Sequence, residues 1–199
     1  MLSEVANISR VTEWLWTGGD VRPDPDDAVR DVRALQDAGI THVLDCRVEW
    51  SDEALFAVLA PDMSYLHHGV DDDGGAQPDW WYDLGVGFAV AALAESDSRI
   101  LVHCHMGINR GPTMAYAILL ALEWDPVEAL DAIRSARPIA AIGYAEDALD
   151  WHHRRRAVPE ARRVADQERL AQWRDRNGID VAHIIRGIRA AEGTVYRSS

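Results

Sequence analysis

Along the first 150 residues the apolar positions switch repeatedly between a period of two and one of about 3.6, as strands alternating with helices do. Residues 8 to 19 alternate around Val11, Leu15 and Trp16 and then meet Gly18-Gly19, a strand running into a tight turn. A loop rich in proline and aspartate, Pro23 to Asp27, precedes the helical spacing Ala28, Val32, Leu35, Ala38, with Asp26 or Asp27 as cap and Gly39 as stop. Ile40 to Cys46 reads as a buried strand, Ser51 to Leu59 as a short helix and Met63 to His67 as a third strand. Val70 to Asp79 is too polar and glycine-rich to pack. Asp79 is placed to cap a helix from Trp80 to Ala94, whose apolar positions lie all round it and imply deep burial. After a strand from Arg99, helices are predicted from Arg110, from Trp124-Asp125-Pro126 and from Tyr144. Helix, glycine, buried strand is a βαβ rhythm, so the fold class is α/β with a central, mostly parallel sheet flanked by helices.

From Trp151 the pattern changes to arginine, alanine and acidic residues. Two amphipathic stretches, Glu160 to Arg176 and Val181 to Ala190, are split by Asn177-Gly178. The organisation is one domain over residues 5–150 and a basic helical extension over 151–199, packed on the domain or on a partner, with the last few residues frayed. The chain's 199 residues suffice for one such core. No apolar run approaches the roughly 20 residues of a membrane helix. No export signal is recognised, so a cytoplasmic location is expected. Cys46 and Cys104 are the only cysteines, which excludes a disulfide framework and a four-cysteine zinc site. The net charge of −13 is unevenly spread: residues 1–150 hold 9 arginines and 27 acidic residues, and 151–199 hold 11 and 6. An acidic body argues against nucleic acid or an anionic membrane as its partner. Adjacent histidines such as His67-His68 on a strand face opposite ways, so no metal is assigned.

Residues 100–114 read Ile-Leu-Val-His-Cys-His-Met-Gly-Ile-Asn-Arg-Gly-Pro-Thr-Met: an apolar strand, a loop with Gly107 at its middle, and a helix opened by Arg110. Loop N–H groups and the positive end of a helix dipole converge in such a turn, where a phosphate fits. Five residues separate Cys104 from Arg110, so the loop can curl until the thiol lies at its floor and the guanidinium at its rim. The arginine fork matches two phosphate oxygens. A thiol at a helix N-terminus beside an arginine is set to react as a thiolate. The competing reading of Cys104 is a buried structural cysteine.

His103-Cys104-x5-Arg110 resembles the signature of cysteine-dependent protein tyrosine phosphatases. Its surroundings are most similar to the dual-specificity branch, whose opening strand and Gly-Gly resemble the stretch ending at Gly18-Gly19. The resemblance implies Cys104 as nucleophile, a phosphate-binding loop of His105, Met106, Gly107, Ile108, Asn109 and Arg110, and no cofactor or metal. It implies that His103 orients the loop and tunes the thiolate through hydrogen bonds. It puts the general acid on a mobile loop seven residues beyond an aromatic at the start of the preceding strand, which from Tyr65 gives Asp72; Asp71 and Asp73 remain alternatives. The implied substrates are proteins carrying phosphotyrosine, or phosphoserine and phosphothreonine, or a small phosphate ester. Sulfur or arsenate transfer on a related loop is the rival chemistry.

One departure is Gly111, where the family carries a serine or threonine whose hydroxyl helps the thiolate leave phosphate; Thr113 or a water is the candidate substitute. A phosphate-binding module with slow turnover is therefore a second reading. A small residue followed by proline at this place also occurs in plant phosphoglucan phosphatases, which keeps a carbohydrate phosphate open. The loop holds no lysine or arginine before Arg110, which disfavours a polyphosphorylated inositol lipid. Arg137-Pro138-Ile139-Ala140 resembles a family segment that supports the loop, with Ile142-Gly143 where an asparagine is usual. Trp80 and Trp81 are candidates to wall the pocket or stack on a ring, against core packing for at least one of them. Cys46 ends a strand of the same sheet, either as a buried spectator or as a disulfide partner shielding Cys104.

Overall fold

The computed structural model describes residues 6–195, with side chains described as far as residue 190. In chain order the elements are β1 (Ile8–Arg10), β2 (Leu15–Gly18), α1 (Pro25–Asp37), β3 (His42–Asp45), α2 (Glu53–Leu59), β4 (Ser64–His67), α3 (Asp79–Leu93), β5 (Ile100–His103), α4 (Arg110–Ala121), α5 (Pro126–Ala136), α6 (Ala145–Arg155), α7 (Glu160–Asn177) and α8 (Val181–Val195). The strands form one sheet in the order β1-β2-β5-β3-β4, parallel except for the edge pair β1/β2.

The single strand expected over residues 8 to 19 is thus a hairpin. Thr12 makes the difference: its hydroxyl accepts from Trp14 N and Leu15 N, a side-chain turn that reverses the chain between the two strands. Two helix starts follow one rule. Asp24 accepts from the N–H groups of Asp26 and Asp27 with Pro25 at the first helical position, and Asp125 accepts from Val127 and Glu128 behind Pro126. The cap of α1 is therefore Asp24, ahead of the candidates Asp26 and Asp27, because proline takes the first helical position. Asp79 likewise lies inside α3, whose N-cap is Pro78.

The three inner strands, β2, β5 and β3, are buried on both faces. Leu15, Leu44 and Val102 point into a core with α3 to α6, whereas Trp16, Val43 and Leu101 point to the opposite side against Val32, Leu35 and Phe56. α4 is the central helix, buried from Arg110 to Leu120 and packed on β2, β5, α3, α5 and α6. α3 is less buried than its composition implies. Trp81, Tyr82, Val86 and Ala89 are buried in the core with α4, while Trp80, Leu84 and Val90 stay exposed, since only one face has a partner. α6 runs across residue 150, and α7 packs on α5 and α6 with Leu170 and Trp173 in the main core. The indole of Trp173 donates to Asp131 at 2.6 Å. The terminal residues expected to fray lie outside the described residues. Among the described residues no helix is long and apolar enough to cross a membrane.

Candidate active site

β3 and β5 are neighbours with Asp45 opposite His103, so Cys46 and Cys104 follow side by side at the C-terminal ends of adjacent parallel strands. Ligand sites of open α/β sheets form at such ends. Cys104 is 2 % exposed, and the chain turns over it through residues 105–109 before α4 begins at Arg110. Gly107 has φ +64, and a Cβ there would lie 2.5 Å from the Gly18 backbone, so only glycine fits this turn. Arg137 pins the loop from behind: Nε donates to Gly107 O at 2.5 Å and Nη2 to Met106 O at 2.8 Å and Asn7 Oδ1 at 2.9 Å. With those carbonyls held outward, no N–H of residues 105–109 donates to protein among the described residues. A row of free amides over a thiol is an anion cradle.

Arg110 closes the rim and is 3 % exposed. Its Nη1 donates to Glu49 Oε2 at 2.9 Å and Val70 O at 3.0 Å, and Nη2 donates to Glu49 Oε1 at 2.7 Å. The Arg110 pairing draws the Glu49 carboxyl down to about 2. Of the five N–H donors of a guanidinium, the Nε–H and the second Nη2 hydrogen remain, and they lie on one edge. Nε is buried without a hydrogen-bond partner and stands 3.6 Å from Asp72 Oδ2. A buried free donor edge beside a thiol is a place for two oxygens of a tetrahedral anion.

Of the three adjacent aspartates, only Asp72 is brought to the rim. Asp72 Oδ1 accepts from Asn109 Nδ2 at 2.6 Å and from the Tyr144 hydroxyl at 2.8 Å. Asp73 turns back to accept from Gly75 N, and Asp71 is exposed. The loop expected to be mobile is tied down, with Gly74 N donating to the Tyr144 hydroxyl and Gln77 N to Asp147 Oδ2.

Two supporting residues sit differently from expectation. Neither ring nitrogen of His103 completes a hydrogen bond; the ring lies 3.8 Å from Asp45 Oδ1, and burial pushes it down to about 4, so it is neutral. Its reach to Cys104 is through the backbone, and its carbonyl accepts from Cys46 N. Thr113, the candidate substitute for the missing hydroxyl, is fully buried and its Oγ1 makes no hydrogen bond, to Cys104 or any other group. Gly111 itself has a packing reason. A Cβ there would meet the His103 backbone at 3.1 Å, because α4 starts directly over the end of β5. Cys46 and Cys104 are both free thiols, and burial pushes the Cys46 thiol well up, as suits a spectator. Trp81 is core, its indole donating to His68 O, and Trp80 is exposed beside His68.

The residues that motif reading missed lie on the β3–α2 loop. Arg47, fully buried, donates to Asp45, Asp20 and Asp52 at 2.6 to 2.9 Å and stands over the Trp50 ring. Asp20 also meets His105 Nδ1 at 2.5 Å, and burial pushes its carboxyl up to about 6. Trp50, exposed, sets its ring edgewise 5.3 Å from His105 and is the aromatic beside the loop. The available signal was position: Arg47, Glu49 and Trp50 follow a strand end next to the motif strand. Among the described residues no group of three His, Cys, Asp or Glu side chains is placed to hold a metal.

A central parallel strand ending in cysteine, a loop of free amides and an arginine in the first turn of the next helix define a class of fold, the one found in solved structures of dual specificity phosphatases. No family model matches the chain. Over 119 residues it is 32 % identical to human dual specificity protein phosphatase 13B and 29 % identical to the mouse protein, each match covering 56 % of this chain and 58 % of the relative. The chain thus matches little more than half the length of these curated relatives. Among solved structures it is similar to human DUSP28 (TM-score 0.61, 20 % identity, 75 % of this chain and 95 % of that one). PTPMT1 in complex with PI(5)P gives TM-score 0.61 at 22 % identity over 76 % of this chain and 97 % of that one. A mouse dual specificity phosphatase complexed with zinc tungstate gives 0.64 at 21 % identity over 79 % and 93 %.

Proposed function

We propose that this chain is a phosphomonoester hydrolase working through a phosphocysteine, acting as a protein tyrosine or dual-specificity phosphatase. The observation that carries the reading is the free Nε edge of Arg110, buried at the rim of the Cys104 loop with Asp72 Oδ2 3.6 Å away. In the first step Cys104 Sγ attacks phosphorus and the bond from phosphorus to the ester oxygen breaks, its electron pair and a proton from Asp72 going to the departing alcohol or phenol. In the second step Asp72 takes a proton from water, the water oxygen bonds to phosphorus, and the cysteine leaves as thiolate. The loop amides and Arg110 hold the three equatorial oxygens throughout. Trp50 and His105 form the wall on which the leaving group rests, which suits the ring of phosphotyrosine. Two free buried thiols fit a reducing compartment such as the cytoplasm.

Cys104→Ser is expected to abolish hydrolysis of p-nitrophenyl phosphate, and full activity in that variant would exclude the mechanism. One observation favours a second reading. Gly111 offers no hydroxyl to the leaving thiolate and Thr113 makes no bond to it, so phosphate release is the step this site assists least. A burst of one product equivalent followed by a slow steady state would identify a phosphate-binding module with poor turnover.

A further inference from the structure

We propose that Tyr144 and Asn109 are positioning residues that decide which oxygen of Asp72 carries the proton. The inference rests on the reading of Asp72 as general acid and adds to it the source of its orientation. Each partner's direction is fixed by a backbone N–H. Asn109 Oδ1 accepts from Gly143 N at 2.5 Å, so the amide can face Asp72 only with Nδ2, a donor. The Tyr144 oxygen accepts from Gly74 N at 3.1 Å, so its own hydrogen is directed to Asp72. Both donors end on the same atom, Oδ1.

A carboxyl oxygen has two lone pairs in the plane of the group, and two donors saturate them. A proton placed on Oδ1 would point at two N–H or O–H donors and break one bond or both, so the acid form carries its proton on Oδ2. Oδ2 is the oxygen paired at 3.6 Å with Arg110 Nε, the edge that takes phosphate oxygens in the proposed reaction, so once phosphate occupies that edge Oδ2 is left without a donor and faces the bound ester. The same pair keeps Oδ1 bonded after the proton has left, ready for the reverse transfer from water. Tyr144 is 5 % exposed and stands just ahead of α6, whose Asp147 holds Gln77 at the far end of the acid loop. The proton's location is thus set by α6 and the loop before α4, outside the acid loop itself.

General acid assistance matters more as the leaving group becomes more basic. The test measures kcat/KM for aryl phosphates ranging from p-nitrophenyl phosphate to phenyl phosphate, on wild type, Asp72→Asn, Tyr144→Phe and the double variant. Tyr144→Phe is expected to lose about tenfold on phenyl phosphate and no more than about twofold on p-nitrophenyl phosphate, and to add nothing further in the Asp72→Asn background. A uniform loss across the series, or a loss that persists in the double variant, would mean that Tyr144 supports the fold or the loop and not the proton, and overturns the proposal. Should Tyr144→Phe not fold, Asn109→Ala, which withdraws the other donor, is read only by the ratio of its losses on phenyl and p-nitrophenyl phosphate, because a change in phosphate binding by the loop lowers both esters alike. If Asp72→Asn itself shows no dependence on leaving group, the acid assignment has failed and this inference falls with it. If Asp72→Asn shows the dependence and neither Tyr144→Phe nor Asn109→Ala does, only the inference falls.

Discussion

At the scale of the single residue, Glu49 decides how Arg110 can work. A carboxylate locked bidentately on the arginine proposed to bind phosphate either competes with the ligand or fixes the fork for it. The geometry favours the second, because Glu49 occupies the edge formed by the two terminal nitrogens and leaves the Nε edge open toward Cys104 and Asp72. Glu49→Ala should therefore raise KM for p-nitrophenyl phosphate and weaken orthovanadate inhibition by about tenfold, since a guanidinium free to turn loses its aligned donors. Tighter vanadate binding in that variant would show Glu49 to be a competitor. That Cys104, Arg110 and Asp72 share one rim was legible in the sequence from fixed spacing, five residues in the loop and a countable distance from Tyr65. Glu49 and Tyr144 were not, since each acts on a partner more than sixty residues away along the chain, and no spacing encodes such a pair.

At the scale of the element, period and caps carried most of the fold. β3 and β5 fall on buried apolar runs, β4 lies within the strand expected over Met63 to His67, α4 follows its helical spacing, and α7 ends at the Asn177-Gly178 break. The misses have local causes. The β1/β2 hairpin depends on the Thr12 hydroxyl, a turn without glycine or proline that apolar patterning does not register. The exposed side of α3 could not be read from composition, because an all-round apolar helix is open wherever the fold supplies no second partner. His103 is similar. The family resemblance makes it a hydrogen-bonding partner of the loop, yet its ring is enclosed by the sheet and the neighbouring strand end, and neither nitrogen finds a partner.

At the scale of the whole molecule, the uneven charge resolves into pairing across the fold. Arg154 meets Asp79, Arg155 meets Asp83, Arg156 meets Glu123, Arg169 meets Asp125 and Arg174 meets Glu146, so α7 and the basic end of α6 face the acidic body. Exposed pairs of this kind contribute little one by one, and their joint effect is to orient the helices. pH acts through the buried groups. Asp20, raised to about 6, binds its proton more tightly in the folded protein, so its contribution to stability is full below its unfolded value of about 3.9 and is lost as pH rises through 6. His103, held down to about 4, acts in the other direction: its contribution is full above about 6.5 and is lost as pH falls through 4. Asp20→Asn removes only the first effect. Relative to wild type, the urea midpoint of the variant should therefore rise between about pH 4.5 and about pH 7, and a difference that stays flat across that range would contradict the buried, proton-retaining carboxyl.

In the proposed reaction the sulfur of Cys104 is the atom that receives the phosphoryl group. Rapid acid quench during turnover of p-nitrophenyl phosphate, followed by mass spectrometry of the peptide spanning residues 100–114, tests it directly. One phosphoryl group is expected on Cys104 in the wild type, accumulating further in Asp72→Asn, where the carboxylate proposed to activate water is gone. Turnover with that peptide unmodified at every quench time, or with the phosphoryl group on another residue, would contradict it.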